Sequence, residues 1–198
     1  MGQKVNPISM RLQVNKDWRS KWFVGKREFA DYLKDDLKVR KLITTKLGSR
    51  AAINRVDIQR TANLVTVTIY TAKAGVVIGR GGAGVTELKD QIAAIYKSPI
   101  RVNIEEVKNT DLHAKLVAEN IAHQLERRMS FRRAIKSASA ATMRAGAKGI
   151  RIEVAGRLNG AEMSRREKET AGSVPLHTLR ADIDYALVPA QTAAGIIG

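Results

Sequence analysis

Between residues 64 and 96 the chain changes its hydrophobic period twice, and glycines mark the second change. Leu64–Tyr70 contains Val-X-Val-X-Ile, apolar at every second position, which predicts a strand with one buried face. AGVVIGRGGAGVTELKDQIAAIY follows: a short apolar stretch, a glycine cluster, then a helical pattern to about Tyr96. Before this run, Arg27–Leu47 carries Phe29, Leu33, Leu37, Ile43 and Leu47 at helical spacing and stops at Gly48, and Ile53–Gln59 alternates as a strand. After it, Pro99 blocks further helix and Ile100–Val107 alternates again. Residues 27–107 therefore predict helix, strand, strand, short helix, glycine loop, helix, strand.

That order decides how the glycines are read. Gly79-Arg80-Gly81-Gly82-Ala83-Gly84 satisfies G-x-G-x-x-G, with Glu105 about 20 residues on, which raises a dinucleotide-dependent oxidoreductase as a remote alternative. The dinucleotide fingerprint needs a long buried strand running into the first glycine inside a βαβ unit. Here only Val76-Val77-Ile78 precede it, behind Gly75, and no Lys-Ser or Lys-Thr follows to make a phosphate-binding P-loop. The better reading takes Gly79-Arg80-Gly81-Gly82 as a G-x-x-G loop between two helices, where the backbone can approach a phosphate closely. In the KH fold such a loop clamps a nucleic-acid backbone. A plain helix–helix turn without a ligand is the competing reading of the glycines alone.

Charge moves the weight toward nucleic acid. The chain's 198 residues carry 35 Lys+Arg against 19 Asp+Glu, a net +16. Residues 1–60 hold 15 basic and 6 acidic side chains, residues 61–126 hold 7 of each, and residues 127–198 hold 13 and 6. A neutral middle between two electropositive parts is expected of a protein that meets a polyanion with more than one surface. No window is long and apolar enough to span a membrane, and the start lacks a secretory signal, so a cytoplasmic protein without a membrane partner is expected.

Lys108–Asp111 reads as a polar linker in which Thr110 or Asp111 could cap the next helix. Leu112, Leu116, Val117, Ile121 and Leu125 mark that helix, and another runs from about Ser130 to Ala145 before Gly146 and Gly149. GIRIEVAGRL, AEMSRREKET and TLRADIDYALV then read as strands. On the second helix Arg132, Lys136, Arg144 and Lys148 fall roughly on one stripe, with Arg133 about 100° from Arg132 and no acid at i±4 to compensate them. Phosphate binding is the preferred reading over a solvated face.

Enzyme constellations fail on geometry. The chain has no cysteine, so no disulfide and no thiolate metal site. His113 and His123 stand ten residues apart on one predicted helix, about 15 Å along its axis and about 80° apart in direction, and cannot share a metal. His177 sits in a predicted turn, and Glu105 and Glu106 face opposite sides of a strand. Trp18 and Trp22, four apart, read as a packing or RNA-facing pair. No cofactor, metal or catalytic residue is expected.

Five ordered stretches carry a family resemblance: MGQKVNP, RTANLVTVTIYTAKAGVVIGRGGAGV, FRRAIKSA, GAKGIRIEVAGRLNGAEMSR and VPLHTLRADIDY. Over essentially its whole length the chain resembles the bacterial type of the small-ribosomal-subunit protein three family. The resemblance implies an α+β protein of two domains: an N-terminal type II KH domain, and a C-terminal domain of two helices packed on an antiparallel sheet. The expected division is an N-terminal arm over 1–16, the KH domain over 17–108 and the C-terminal domain over 109–198. It further implies a structural constituent of the small subunit that binds rRNA in the head and lines the channel where messenger RNA enters, passively assisting the opening of structured mRNA. Proteins ten and fourteen of the head, and after them protein two, are the implied neighbours. Arg132, Arg133 and Lys136 match the family positions facing incoming messenger, and the G-x-x-G loop matches its RNA clamp. Lys4, Arg11, Arg127, Arg128, Arg144, Lys148, Arg165 and Arg166 are the candidates for rRNA contact. After Arg165 the sequence REKETAGS lacks the family's aromatic pair and Gly-Arg, and relatives continue past Gly198 with a further strand and basic tail, so a truncated C-terminus is expected. A free-standing KH regulator of RNA is the alternative; it leaves the second basic part unexplained.

Overall fold

The structure is a computed structural model that describes residues 4–96 and 98–198. Met1, Gly2 and Gln3, the start of the expected arm, lie outside the described residues. The chain forms two compact units, one of Trp18–Lys108 and one that joins the N-terminal segment to Asn109–Gly198.

In the first unit, α1 (Phe29–Leu47) precedes the strands β2 (Ile53–Arg60) and β3 (Val65–Thr71). The short α2 (Ala74–Ile78), the glycine loop and α3 (Ala83–Tyr96) lead to β4 (Ile100–Glu106). A two-residue β1 (Ser20–Lys21) runs parallel to β2 and completes a sheet of order β1-β2-β3-β4. β2 and β3 are antiparallel, and β3 and β4 are parallel in register from Val65↔Ile100 to Thr71↔Glu106. Alternation does what the sequence predicts: Val65, Val67 and Ile69 point into a core with Val56, Ile58, Val39, Ile43, Leu88 and Ile92.

The helical spacing in α1 misleads at its first half. Phe29, Leu33 and Leu37 remain exposed, and the buried line runs instead through Asp36, Val39 and Ile43. The reason is a buried polar cluster. Asp36, 2% exposed, accepts hydrogen bonds from Trp22 Nε1 (2.9 Å), Tyr96 Oη (3.0 Å) and Arg60 Nε (3.0 Å). The Arg60 guanidinium lies between the rings of Tyr32 and Tyr96, 4.5 and 4.3 Å from their centroids. This cluster rotates the helix so that its carboxylate, rather than the Phe29–Leu33–Leu37 stripe, faces the core.

In the second unit, α4 (Ala114–Glu126) and α5 (Phe131–Arg144) pack on the antiparallel pair β5 (Gly149–Gly156) and β6 (Arg165–Gly172). The core joins Ile121, Leu125, Phe131, Ile135, Ile152 and Val154. Neither Thr110 nor Asp111 caps α4. Its first amide, at Ala114, donates to Asp184 Oδ2 at 2.9 Å, from 70 residues further on. The stretch TLRADIDYALV forms no strand; the final hairpin is β7 (Ala190–Thr192) with β8 (Gly195–Ile197), tied to β5 by Gly198 N to Ala155 O at 2.8 Å.

What holds residues 176–181 in place of a strand ladder is Arg11. It is 1% exposed and donates to the carbonyls of Pro7 (3.0 Å), Leu176 (3.0 Å), Thr178 (3.0 Å) and Ala181 (2.9 Å). Asn15 and Lys16 reinforce it, the latter 2.5 Å from Asp182. The arm is thus an integral part of the second unit.

Candidate nucleic-acid interface

The glycine loop is shaped by close backbone approach at one end and by open space in the middle. A Cβ on Gly84 would stand 2.8 Å from the Val77 carbonyl oxygen, and one on Gly79 3.1 Å from the Gly84 nitrogen, so α2 and α3 meet backbone to backbone. Gly84, part of the apparent dinucleotide fingerprint, therefore serves helix packing. Gly79, Gly81 and Gly82 have φ of 72°, 62° and 83°, the left-handed region that glycine favours. At Gly81 and Gly82 an added Cβ would meet nothing within 4 Å. Arg80 is exposed at the crest, and its side chain makes no ion pair or hydrogen bond among the described residues. Val76 and Ile78 of α2, half-exposed beside the loop, add an apolar shelf that sequence reading missed.

The second group of cations lies around the start of α5. Ser130 is extended and the helix begins at Phe131, whose ring is buried while Arg132, Arg133 and Lys136 project outward. The Arg132 guanidinium lies 5.7 Å from the Phe131 ring centroid and 4.0 Å from Glu167 of β6, an acid that the i±4 spacing within α5 could not reveal. The side chains of Arg133 and Lys136 have no ion-pair or hydrogen-bond partner among the described residues. Arg127 and Arg128, both exposed, occupy the turn before α5, and Arg128 adopts φ 60°. Arg165 joins this group from β6, 5.5 Å from the Phe131 centroid and 3.8 Å from Glu167.

The other candidates are elsewhere. Arg144 ends α5, about 18 Å along the axis from Arg132, and donates to the Ala140 carbonyl at 3.2 Å. Lys148 is exposed beyond the following turn. Lys4 reaches Glu153 at 3.5 Å, and Arg166 reaches the same carboxylate at 2.9 Å. Arg11 must be withdrawn as an rRNA contact: its side chain is buried and its donors are engaged by carbonyls of its own chain.

His113 stands just before α4, and His123 Nδ1 lies 3.3 Å from Glu126. Among the described residues no group of three or more His, Asp or Glu could hold a metal ion, and no helix is long and apolar enough to cross a membrane.

An antiparallel pair extended by a parallel strand, with two helices joined by a G-x-x-G loop between the last two strands, is the type II KH fold. The class is that of the KH RNA-binding proteins. A KH domain profile matches residues 38–112, and one for the ribosomal protein S3 C-terminal domain matches residues 121–198. The whole chain is 54% identical to small ribosomal subunit protein uS3 of Lactobacillus gasseri, covering 88% of that protein. It is likewise 54% identical to uS3 of Listeria welshimeri, covering 90%, and 51% identical to uS3 of Coxiella burnetii, covering 87%. The chain belongs to the uS3 family of small-ribosomal-subunit proteins. These relatives are named as ribosomal proteins, not enzymes.

Proposed function

We propose that the chain binds small-subunit rRNA in the head and presents the start of α5 to messenger RNA where it enters the subunit. The observation that carries the messenger role is the placement of Arg132, Arg133 and Lys136. They project from a helix, and the side chains of Arg133 and Lys136 have no ion-pair or hydrogen-bond partner among the described residues. Cations held this way attract phosphates without reading bases, so they act alike on any message. They supply no energy of their own. Their part is to favour strands already opened while translocation drives the message forward. Changing all three to Ala should leave assembly and translation of unstructured message nearly intact and slow elongation several-fold through a stable downstream hairpin. Equal slowing on matched paired and unpaired templates would remove the role.

The glycine loop is proposed as an rRNA backbone contact. Arg80→Asp with Gly81→Asp places two carboxylates where a phosphate would approach. The left-handed backbone at Gly81 is one that Asp tolerates better than most residues, and its Cβ meets open space, so the fold should persist. RNA cross-linking to this loop in assembled subunits should fall sharply; unchanged cross-linking would reduce the loop to a turn.

Proteins ten and fourteen of the head, then protein two, are the proposed neighbours. The exposed Phe29–Leu33–Leu37 stripe suits a protein contact better than an RNA one. A photoreactive residue at Leu33 should capture one of these proteins in intact subunits, and capture of rRNA alone would refute it.

A further inference from the structure

Arg165 and Arg166 adjoin in sequence, yet β6 turns them to opposite faces of its sheet. Ile152 and Val154 of β5 are buried against α4 and α5, which fixes the inner face. Their register partners Glu169 and Glu167 share that face, and so does Arg165, beside Phe131 and Arg132. The outer face therefore carries Arg151, Glu153 and Ala155 of β5 with their partners Thr170, Lys168 and Arg166 of β6.

Glu153 organises the outer face. It receives Arg166 at 2.9 Å, Arg151 at 3.3 Å and Lys4 at 3.5 Å, with Lys168 directly opposite it in register. Burial raises the Glu153 carboxyl, but Lys4 and Arg166 outweigh that and hold it below its usual range, so it stays ionised at neutral pH. One carboxylate holds three of these four cations without neutralising the group. Arg166 and Lys4 remain 63% and 70% exposed. Among the described residues β6 bonds to β5 alone, so one edge of this pair lies beside the cationic outer face.

We propose that the outer face of β5–β6 is a second RNA-backbone site, holding a strand distinct from the one on α5. The two arms of an opened hairpin would pass on opposite faces of the helix–sheet layer, which keeps them from pairing again. This rests on the messenger reading of α5. Arg151, Arg166 and Lys168 contact phosphates, and no base is read, since the strand positions on this face offer guanidinium and ammonium donors suited to phosphate oxygens.

The test uses the full chain and a forked RNA, a duplex with two unpaired arms carrying different labels. A photoreactive residue is placed at Thr170 on the outer face or at Ser137, exposed on α5. Each position should capture a different arm. Arg151→Ala, Arg166→Ala and Lys168→Ala together should lower capture at 170 by about tenfold and leave capture at 137 nearly unchanged. The α5 triple variant should do the reverse. Capture of the same arm at both positions, no capture at 170, or insensitivity of 170 to the outer triple variant would overturn the proposal. No capture at 137 in the otherwise unaltered chain, with RNA still captured at 170, supports the outer site and sinks the α5 reading.

Discussion

Asp36→Ala should cost the KH unit about 3–5 kcal/mol, the scale of breaking a buried ion pair while its partner stays behind. Arg60 would keep its charge between Tyr32 and Tyr96 with no carboxylate to receive it. Trp22 Nε1 and Tyr96 Oη would lose their acceptor in the same step. Such a loss is a large part of a typical domain's 5–15 kcal/mol. Urea unfolding followed by tryptophan emission reads it, since Trp22 reports on the cluster; a loss below 1 kcal/mol would show that water replaces the carboxylate. The cluster also sets an alkaline limit. Burial and the neighbouring Asp36 carboxylate push the Tyr96 phenol above its ordinary value, so the folded unit holds this proton more tightly than the unfolded chain. That contribution is complete below the phenol's ordinary range, near pH 10, and is lost as pH rises beyond it. Tyr96→Phe should flatten the fall in stability above that pH.

Arg11→Ala should destabilise the second unit by about 3 kcal/mol or more, because four carbonyls lose their common donor and a buried volume empties. Lysine should not rescue it. Its ammonium is a compact point charge, whereas the four oxygens are matched to a planar fork. Hydrogen exchange separates the outcome by unit: faster exchange should appear around 176–189 and at the start of α4, which Asp184 caps, with the KH unit unchanged. Equal loosening of both units would contradict it.

These two side chains show where sequence stops being readable. The β3 alternation, the glycine loop and the order of elements through 107 are local patterns, and the structure follows them. Asp36 and Arg11 carry no local mark. Each looks like one more charge in a polar stretch, and its burial depends on partners up to 60 and 170 residues away. The same distance hides the Asp184 cap of α4 and the Glu167 that faces Arg132. Helical spacing placed Phe29, Leu33 and Leu37 on the apolar side of α1, but periodicity gives a direction to within a shoulder of the helix, and the Asp36 cluster decided which shoulder is covered. In the candidate interface, residue type showed which side chains are cationic. Strand alternation parts Arg165 from Arg166, and only register showed that Arg166 lies on the face of Glu153.

The arm has a consequence for synthesis. Arg11 is synthesised long before its partner: the carbonyl of Leu176 that it must grip lies 165 residues later. At about 5–20 residues per second that is a wait of roughly ten to thirty seconds. The KH unit, whose contacts close by residue 108, can finish folding within that interval. A nascent chain stalled before residue 176 thus displays a folded KH unit and a loose basic arm, and docking of the arm reports that translation has passed that point.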